Sequence, residues 1–336
     1  MTDWSLPSLA YVTPLGSFAL TWIVLTIVIR TWSDRILDHP NERSLHQRPV
    51  PRMGGIGVAA GIAASVPFVS QVEWWPLWLG AAILVGLSFL DDLVGLPIIG
   101  RLFVHVVAAG GCVASMFLDQ LGTPWAVVAI VSVVWMTNLY NFMDGMDGLA
   151  GGMAVFGFGF LAIAAGIGGN ISFALVNASI ASAAGAFLLF NFHPARMFLG
   201  DAGSTALGFL AAGLGLIGWR DGTWSIWVPV LVFSPFISDA TVTLVRRAMR
   251  RERFWQAHRS HYYQRLVLSG WGHRKTALAE YGLMFTCGVS GLVFQWASST
   301  VRLAILGLWV ASFFALGQAV SLVEQKAGRT EASNEH

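Results

Sequence analysis

Residues 149–190, LAGGMAVFGFGFLAIAAGIGGNISFALVNASIASAAGAFLLF, contain no Asp, Glu, Lys or Arg. A helix needs about 20 mostly apolar residues to cross a hydrocarbon layer of roughly 30 Å. This stretch is therefore long enough for two crossings, which we place at 149–168 and 171–190. A large soluble core would instead show amphipathic periods and charged faces, and these are missing here.

The composition of the whole chain agrees with that interpretation. Of 336 residues, 55% are hydrophobic and 11% are charged, whereas soluble domains carry about 25% charged residues. We predict an all-α integral membrane protein that forms a single polytopic domain over residues 1–336. Cys112 and Cys287 lie inside apolar blocks and belong to no CxxC motif, so we interpret them as packing residues.

Eleven membrane helices are predicted along the chain. The first is too long for a signal-peptide core, and no basic residue precedes it. The helices lie near residues 9–29, 54–72, 75–90, 102–118, 124–140, 149–168, 171–190, 204–219, 224–244, 276–297 and 303–323.

The positions of Lys and Arg predict the orientation, because these residues favour the cytoplasmic side. Eleven crossings with the N-terminus outside place 18 of the 20 basic residues inside and leave only Arg220 and Arg302 outside. The C-terminus is then cytoplasmic. The predicted cytoplasmic segments are 30–53, 91–101, 141–148, 191–203, a basic and histidine-containing loop at 245–275, and a short tail at 324–336.

Five polar stretches fall on this cytoplasmic side. The first runs from His39 to Gly55, where prolines and paired glycines favour an ordered turn and Arg43, His46 and Arg52 can face a phosphate. The second is Asp91-Asp92, directly after an apolar span. Paired carboxylates at a membrane boundary can bind Mg²⁺ or accept a proton.

The third stretch, residues 138–152, is the most specific. Asn138 and Asn141 are three positions apart, as are Asp144 and Asp147, so each pair can share a helical or turn face. The glycines after each Asp permit tight turns and close approach of a ligand. A calcium loop of the EF-hand type would need more oxygen ligands and a terminal Glu.

The fourth stretch places Asp201 between glycines ahead of a further span, which suits a metal or pyrophosphate site, and Phe198 can stack on a base. The fifth contains His258, Arg259 and His261, which can donate to a pyrophosphate or a sugar; the two histidines share a face if this part is helical. The loop offers only one more histidine, so we expect no zinc site in it. The basic run at 246–253 can also bind anionic lipid headgroups.

Together, the motifs from His39 to Arg265 resemble the polyprenyl-phosphate N-acetylhexosamine-1-phosphate transferases. That superfamily also includes the phospho-N-acetylmuramoyl-pentapeptide translocase of cell-wall synthesis. The stretches Pro-Asn-x-Arg-Ser-x-His at 40–46 and His-x-x-His-x-Tyr-Gln-Arg-Leu at 258–266 look closest to the bacterial branch of glycosyltransferase family 4 that starts O-antigen-type glycans.

The resemblance implies transfer of a sugar 1-phosphate from a UDP-sugar to undecaprenyl phosphate, with release of UMP, at the cytoplasmic face of a bacterial inner membrane. It implies Mg²⁺, with Mn²⁺ as a substitute, and a homodimer; we expect no nucleic-acid partner. Asp201 looks like the principal Mg²⁺ ligand. The other roles carried over by motif are an acidic motif at Asp91 and Asp92, a nucleotide-side signature at Asn138, Asn141, Asp144 and Asp147, a uracil-stacking aromatic at Phe198, and donor-holding histidines at His258 and His261.

Three alternatives can be compared with this reaction, and the second of them fits the sequence poorly. A lipid-linked sugar transporter would need ionisable groups near the midplane, where His105 is the main candidate and Asp239 and Glu280 lie nearer the inner ends. CDP-alcohol phosphotransferases carry Ala-Arg after their first Asp-Gly, whereas Leu149-Ala150-Gly151 follows here. Transfer of muramoyl-pentapeptide phosphate is the third. The sugar, of N-acetylhexosamine or 6-deoxy-N-acetylhexosamine type, is not determined.

Overall fold

A computed structural model describes residues 8–32, 36–40, 44–253 and 258–334. This part of the chain is almost entirely helical. Its α-helices are α1 Thr13–Thr31, α2 Gly54–Val69, α3 Trp75–Val94, α4 Ile98–Phe142, α5 Leu149–Ile167, α6 Ile171–Asn191, α7 Asp201–Arg220, α8 Trp227–Val232, α9 Ser234–Met249, α10 Tyr262–Leu266, α11 Gly272–Trp296 and α12 Ser299–Asn334. Two-residue strands, β1 Leu37–Asp38 and β2 Val50–Pro51, pair in antiparallel register.

The described residues contain eight stretches long and apolar enough to cross a membrane, so the protein is a multi-pass membrane protein. Helix α2 is also apolar but has only 16 residues. The predicted total of eleven crossings and their direction remain predictions. The eight stretches are Ser8–Thr31, Val72–Asp92, Ile98–Phe142, Leu149–Ile167, Ile171–Asn191, Asp201–Arg220, Tyr262–Trp296 and Ser299–Gly328.

Helix α4 is a helical hairpin rather than one straight rod. A straight helix of its 45 residues would be about 67 Å long, yet Arg101 near its start and Asn141 near its end both contact the first turn of α7. The reversal falls at Gly122, whose φ of +66° lies in the left-handed region, two residues before Pro124. The two arms correspond to the spans predicted at 102–118 and 124–140.

Three predicted segments differ from the structure. The span predicted at 224–244 is two helices, α8 and α9, which meet at Phe233, ahead of Pro235. Proline cannot donate an N–H to the preceding turn, so a new helix starts there. The predicted loop 245–275 is largely helical and includes α10 and a π-helical turn, Val267–Trp271. The predicted tail at 324–336 continues α12 as far as Asn334.

Polar contacts gather at two separate ends of the bundle. One set lies around the start of α7 and is described below. The other lies beyond the far end of α7, where Asn170 contacts Thr223 and the Ser225 N–H donates to Gln295. The 20 residues of α7 span about 30 Å between the two ends, which is the thickness of a hydrocarbon layer.

Close approach of backbones packs α2 and α4 against α7. A Cβ on Gly55 would lie 2.3 Å from the backbone nitrogen of Gly203, and one on Gly208 would lie 2.6 Å from the Met136 carbonyl oxygen. Small residues of this kind allow membrane helices to pack tightly without a hydrophobic driving force. This packing brings the start of α2, the start of α7 and the second arm of α4 together.

Candidate functional site at one end of the helix bundle

The first polar stretch pairs with the segment that leads into α7. The backbone N–H of Phe198 donates to the carbonyl of Pro51 over 2.7 Å. The N–H groups of Gly54 and Gly55 donate to the carbonyls of Phe198 and Leu199 over 2.9 and 2.7 Å. The first and fourth polar stretches are therefore held in direct contact by main-chain hydrogen bonds.

One guanidinium joins the second stretch to the fourth. Arg101 Nη1, in the first turn of α4, lies 2.7 Å from Asp91 Oδ2 and 3.3 Å from Asp201 Oδ2. Asp91 also accepts a hydrogen bond from the Leu96 N–H over 2.6 Å. The Asp201 side chain remains 29% exposed, whereas Asp91 is 10% exposed. Two carboxylates from different helices therefore already share one cationic nitrogen.

Asp92, next to Asp91, pairs with a different arginine. Arg52 Nη2 lies 3.1 Å from Asp92 Oδ1, and the Asp92 side chain is only 5% exposed. Gly200 packs against both residues: a Cβ there would lie 2.8 Å from the Arg52 carbonyl oxygen and 3.6 Å from Asp92 Oδ2, and its φ is +74°. Glycine suits this position both for its φ and for the close approach.

The third stretch meets the start of α7 through Asn141 and Asp144. The Ser204 hydroxyl donates to Asn141 Oδ1 over 2.7 Å. Burial raises the pKa of Asp144 well above its ordinary value, and the negative charges of Asp201 and Asp38 raise it further. The Asp144 carboxyl is therefore poised to ionise when a cation or a hydrogen-bond donor approaches.

Asp147, three residues later, meets other partners. His193 Nδ1 lies 2.7 Å from Asp147 Oδ2, and His273 Nδ1 lies 3.3 Å from Asp147 Oδ1. The Ala195 N–H donates to Oδ2 over 3.1 Å. Burial acts to raise the pKa of Asp147, but the hydrogen bond and charge of His273, with His193 and the Ala195 N–H, lower it on balance. Asp144 and Asp147 therefore lie in one turn but have different neighbours.

The histidine loop is held by Asp239 of α9. This buried carboxylate accepts hydrogen bonds from the backbone N–H groups of Tyr262 and Tyr263 over 3.0 and 3.1 Å. It also contacts His261 Nδ1 and the Thr243 hydroxyl, each at 3.1 Å. The carboxylate thus satisfies N–H groups that the start of a helix leaves without intrahelical partners.

Tyr263 connects the histidine loop to the third polar stretch. Its buried hydroxyl donates to the carbonyl of Phe142 over 3.2 Å. A Cβ on Gly145 would meet the same hydroxyl, so the glycine leaves room for this contact. The fifth polar stretch is therefore in contact with the third.

His258 and His261 lie side by side, with ring centroids 4.9 Å apart. Residues 258–260 are not helical and α10 begins at Tyr262, so the shared helical face that we considered for the two histidines is absent. Burial, together with the charges of His261 and Arg247, lowers the pKa of His258 to about 4. His258 is therefore neutral near pH 7.

The remaining predicted residues lie in different surroundings. Arg259 is exposed, and Arg43 lies outside the described residues. Asn138 donates to the Val134 carbonyl of its own helix over 2.7 Å. His46 and Phe198 pack edge to face, with centroids 4.9 Å apart, so the predicted base-stacking ring already has one aromatic neighbour.

Several residues of the site were not predicted as site residues. Arg101 and His193 carry no motif of their own, although Arg101 is ten positions after Asp91 and His193 is eight before Asp201. Asn191 receives the Gly148 N–H over 2.9 Å and donates to the Met197 carbonyl over 2.9 Å. These residues take part through pairings over long sequence distances, which spacing alone does not reveal.

Oxygen ligands of the kind that Mg²⁺ prefers converge here. Mg²⁺ is usually bound by one or two protein carboxylates together with substrate phosphates. Asp91 and Asp201 already share a cationic nitrogen, and Asp92 is adjacent in sequence to Asp91. The carboxylates of Asp91 and Asp201, which meet at one nitrogen, therefore have the donor chemistry of a magnesium site.

The fold and the site define a multi-pass membrane protein whose candidate site lies at one end of its helix bundle. Residues 74–218 match the model of glycosyl transferase family 4. That segment contains Asp91, Asp92, the third polar stretch and Asp201. Over that segment the chain is similar to glycosyl transferase family 4.

Named relatives extend the similarity to most of the chain. A probable undecaprenyl-phosphate N-acetylglucosaminyl 1-phosphate transferase of Bacillus subtilis (strain 168) is 28% identical over 91% of each chain. The undecaprenyl-phosphate alpha-N-acetylglucosaminyl 1-phosphate transferase of Yersinia pestis is 25% identical over 91% of this chain and 89% of its own. A phospho-N-acetylmuramoyl-pentapeptide-transferase of Shouchella clausii is 27% identical over 67% of this chain and 65% of its own.

Proposed function

We propose that this protein transfers a sugar 1-phosphate from a UDP-sugar to undecaprenyl phosphate. The observation that carries the proposal is the sharing of Arg101 between Asp91 and Asp201, at the ends of three apolar helices. Such a site suits a reaction in which one anionic substrate arrives from the bilayer and another from water. The names of the Bacillus and Yersinia relatives support the same reaction.

In this reaction an oxygen of the lipid phosphate attacks the β-phosphorus of the UDP-sugar. The bond between the β-phosphorus and the oxygen bridging to the α-phosphorus breaks, and UMP leaves with that oxygen. The product is an undecaprenyl pyrophosphoryl sugar. Because both reactants are anions, catalysis depends mostly on positioning and on charge neutralisation.

Asp201, Asp91 and Asp92 would hold Mg²⁺, which neutralises phosphate charge when it is bound; Mn²⁺ is an alternative. Arg52 and Arg101 stand beside the same carboxylates and can turn to phosphate oxygens, for which a guanidinium is well shaped. Asp144, once an approaching cation has ionised it, can take a proton from the lipid phosphate. Asn138 and Asn141 would face the nucleotide.

The histidine loop would cover the bound UDP-sugar. His258 is neutral near pH 7 and can donate a hydrogen bond without charge, whereas exposed Arg259 supplies a mobile cation. His261 is buried on Asp239 and would position the loop. Arg43, His46 and Phe198 would meet the donor from the opposite side, with Phe198 against the uracil.

The site would face the cytoplasm of a bacterial inner membrane, since the predicted inner segments carry most of the basic residues. The sugar would be an N-acetylhexosamine or its 6-deoxy form, and the product would start an O-antigen or related envelope glycan. Anionic lipids would surround the basic run at 246–253, and a homodimer would be the assembly.

Purified protein should release UMP only when UDP-sugar, undecaprenyl phosphate and Mg²⁺ are all present. Asp201→Asn should reduce the rate at least about 10²-fold, as loss of one electrostatic group in an active site commonly does. Asp119→Asn is the matched control, because exposed Asp119 lies beside Arg220 at the far end of α7. Equal turnover in Asp201→Asn and wild type would refute the assignment.

A further inference from the structure

Helix α12 stands apart from the rest of the bundle. Only 6% of its most apolar stretch is buried within the protein, compared with 83% for α7. The side-chain hydrogen bonds that join α12 to other elements lie near its two ends. At its beginning, Arg302 donates to the carbonyls of Phe294 and Gln295 over 3.0 and 2.8 Å. Near its other end, Ser321 and Glu324 contact α10, the short helix that follows the histidine loop.

Arg265 of α10 makes this second contact. Its Nη2 and Nε atoms donate to Glu324 Oε2 over 2.6 and 3.2 Å, and Nη2 also donates to the Ser321 hydroxyl over 3.0 Å. The Arg265 side chain is only 11% exposed. Tyr263, two positions earlier and therefore on the opposite face of α10, contacts the third polar stretch. Arg265 thus faces α12 rather than that stretch, although it belongs to the motif at 258–266.

Tyr262 gives α10 a further contact with α12. A Cβ on Gly317 would lie 3.0 Å from the Tyr262 hydroxyl, so a glycine of α12 leaves room for this ring. The guanidinium groups of Arg246 and Arg265 lie 5.8 and 5.2 Å from the centroid of the same ring, within the range of a cation–π interaction. Arg246, on α9, also donates to the hydroxyl over 3.2 Å. Helix α10 is therefore held between α9 and α12.

The position of α10 determines that of the two histidines before it. The backbone N–H of Arg265 donates to the carbonyl of His261 over 3.0 Å, and the rings of His261 and His258 lie 4.9 Å apart. An exposed ion pair alone stabilises a protein little. Here, however, the arginine is mostly buried and reaches two side chains of α12. Loss of Glu324 would therefore loosen both α10 and the histidines.

We propose that α12 anchors the histidine loop, with Glu324 and Ser321 acting as positioning residues through Arg265. Asp239 holds the start of α10 from α9, and α12 holds its other side. Arg265 then positions the loop and makes no contact with the UDP-sugar. The kinetic consequence of the anchor rests on the proposed function, because a loosened loop would hold the UDP-sugar less well.

Hydrogen exchange tests the anchor without transferase activity. Full-length wild type and Glu324→Ala are purified in detergent, and amide exchange is followed in peptides that cover residues 258–266. Exchange there should be about two- to fivefold faster in Glu324→Ala, as expected for the loss of a partly exposed ion pair. The Glu324 side chain is 52% exposed, so its replacement should leave the fold intact. Gln325→Ala is the matched control, because Gln325 is the next residue of α12 and is exposed; it should exchange like wild type.

The UMP-release assay tests the positioning role. In Glu324→Ala the KM for the UDP-sugar should rise about two- to fivefold, with kcat nearly unchanged. Glu324→Gln keeps an acceptor for the guanidinium and should show a smaller rise. Equal exchange at 258–266 in Glu324→Ala and Gln325→Ala would overturn the anchor. Faster exchange with an unchanged KM would overturn the positioning role and leave the transferase assignment, which Asp201→Asn tests, in place.

Discussion

At the scale of single residues, the site balances carboxylates against arginines. Asp91 and Asp201 share Arg101, and Asp92 has Arg52. The carboxylates could be predicted from the sequence because acidic residues at the ends of apolar spans need a cation. Their arginine partners could not, since a contact between residues 101 and 201 depends on how the helices pack.

Asp144 gives a residue-scale prediction about stability. Its pKa is raised in the folded protein, so its contribution to stability is present below the ordinary value of 3.8 and is lost as pH rises through the folded pKa. Asp144→Asn cannot ionise. Without metal, the variant should therefore become more stable relative to wild type as pH rises from 4 to 8, by thermal unfolding in detergent.

The same substitution should reduce UMP release at least about 10²-fold, because the ionisable carboxyl is lost from the site. Asp119→Asn at the far end serves as the control and should change neither the pH dependence nor the rate. A stability difference between Asp144→Asn and wild type that stays constant with pH would contradict the raised pKa.

At the scale of elements, one carboxylate sets the position of the histidine loop. Asp239 holds the start of α10, and Tyr263 then contacts the third polar stretch. The sequence shows His258 and His261 clearly, but it does not show that an aspartate some twenty positions earlier fixes them. The helical face considered for these histidines is absent because the cap at His261 leaves residues 258–260 outside the helix.

Asp239→Asn should act on donor binding more than on the chemical step. The asparagine can accept fewer hydrogen bonds from the surrounding N–H and O–H groups, and one lost hydrogen bond is worth about 1 kcal/mol. The KM for the UDP-sugar should therefore rise about fivefold, with kcat changed less. Glu280→Gln, a carboxyl on neighbouring α11, is the control. A fall in kcat with unchanged KM would contradict a positioning role.

Close packing of α2 on α7 gives a second prediction at this scale. Gly55→Ala would place a Cβ 2.3 Å from the Gly203 nitrogen, so the helices must separate at the site. We expect a lower unfolding temperature and a lower rate of UMP release. Gly86→Ala is the matched control, because a Cβ there meets nothing within 4 Å; it should be neutral or slightly stabilising. Equal behaviour of the two variants would contradict the close contact.

At the scale of the whole molecule, hydropathy predicts most of the helices. The reversal of α4 at Gly122 lies in the short gap between two predicted spans, and glycine and proline mark it. The division of 224–244 into α8 and α9 is not evident from hydropathy, because apolar residues continue on both sides of the break and Pro229, inside α8, gives the same signal as Pro235.

The orientation is testable by labelling single cysteines in intact spheroplasts. Arg250 is exposed on the predicted inner side, and Asp119 is exposed at the opposite end of the bundle. Asp119→Cys should react with a membrane-impermeant maleimide, whereas Arg250→Cys should react only after permeabilisation. Cys112 and Cys287 are buried and give little background. The reverse pattern would place the site outside.

The central claim is that the phosphate nearest the sugar moves with the sugar onto the lipid. A UDP-sugar labelled with radioactive phosphorus in the β-phosphate tests it most directly when incubated with the protein, Mg²⁺ and undecaprenyl phosphate. The account predicts that the label enters the lipid fraction in step with release of unlabelled UMP, and that Asp201→Asn abolishes both. Label recovered in UDP, with an unlabelled sugar on the lipid, would contradict it.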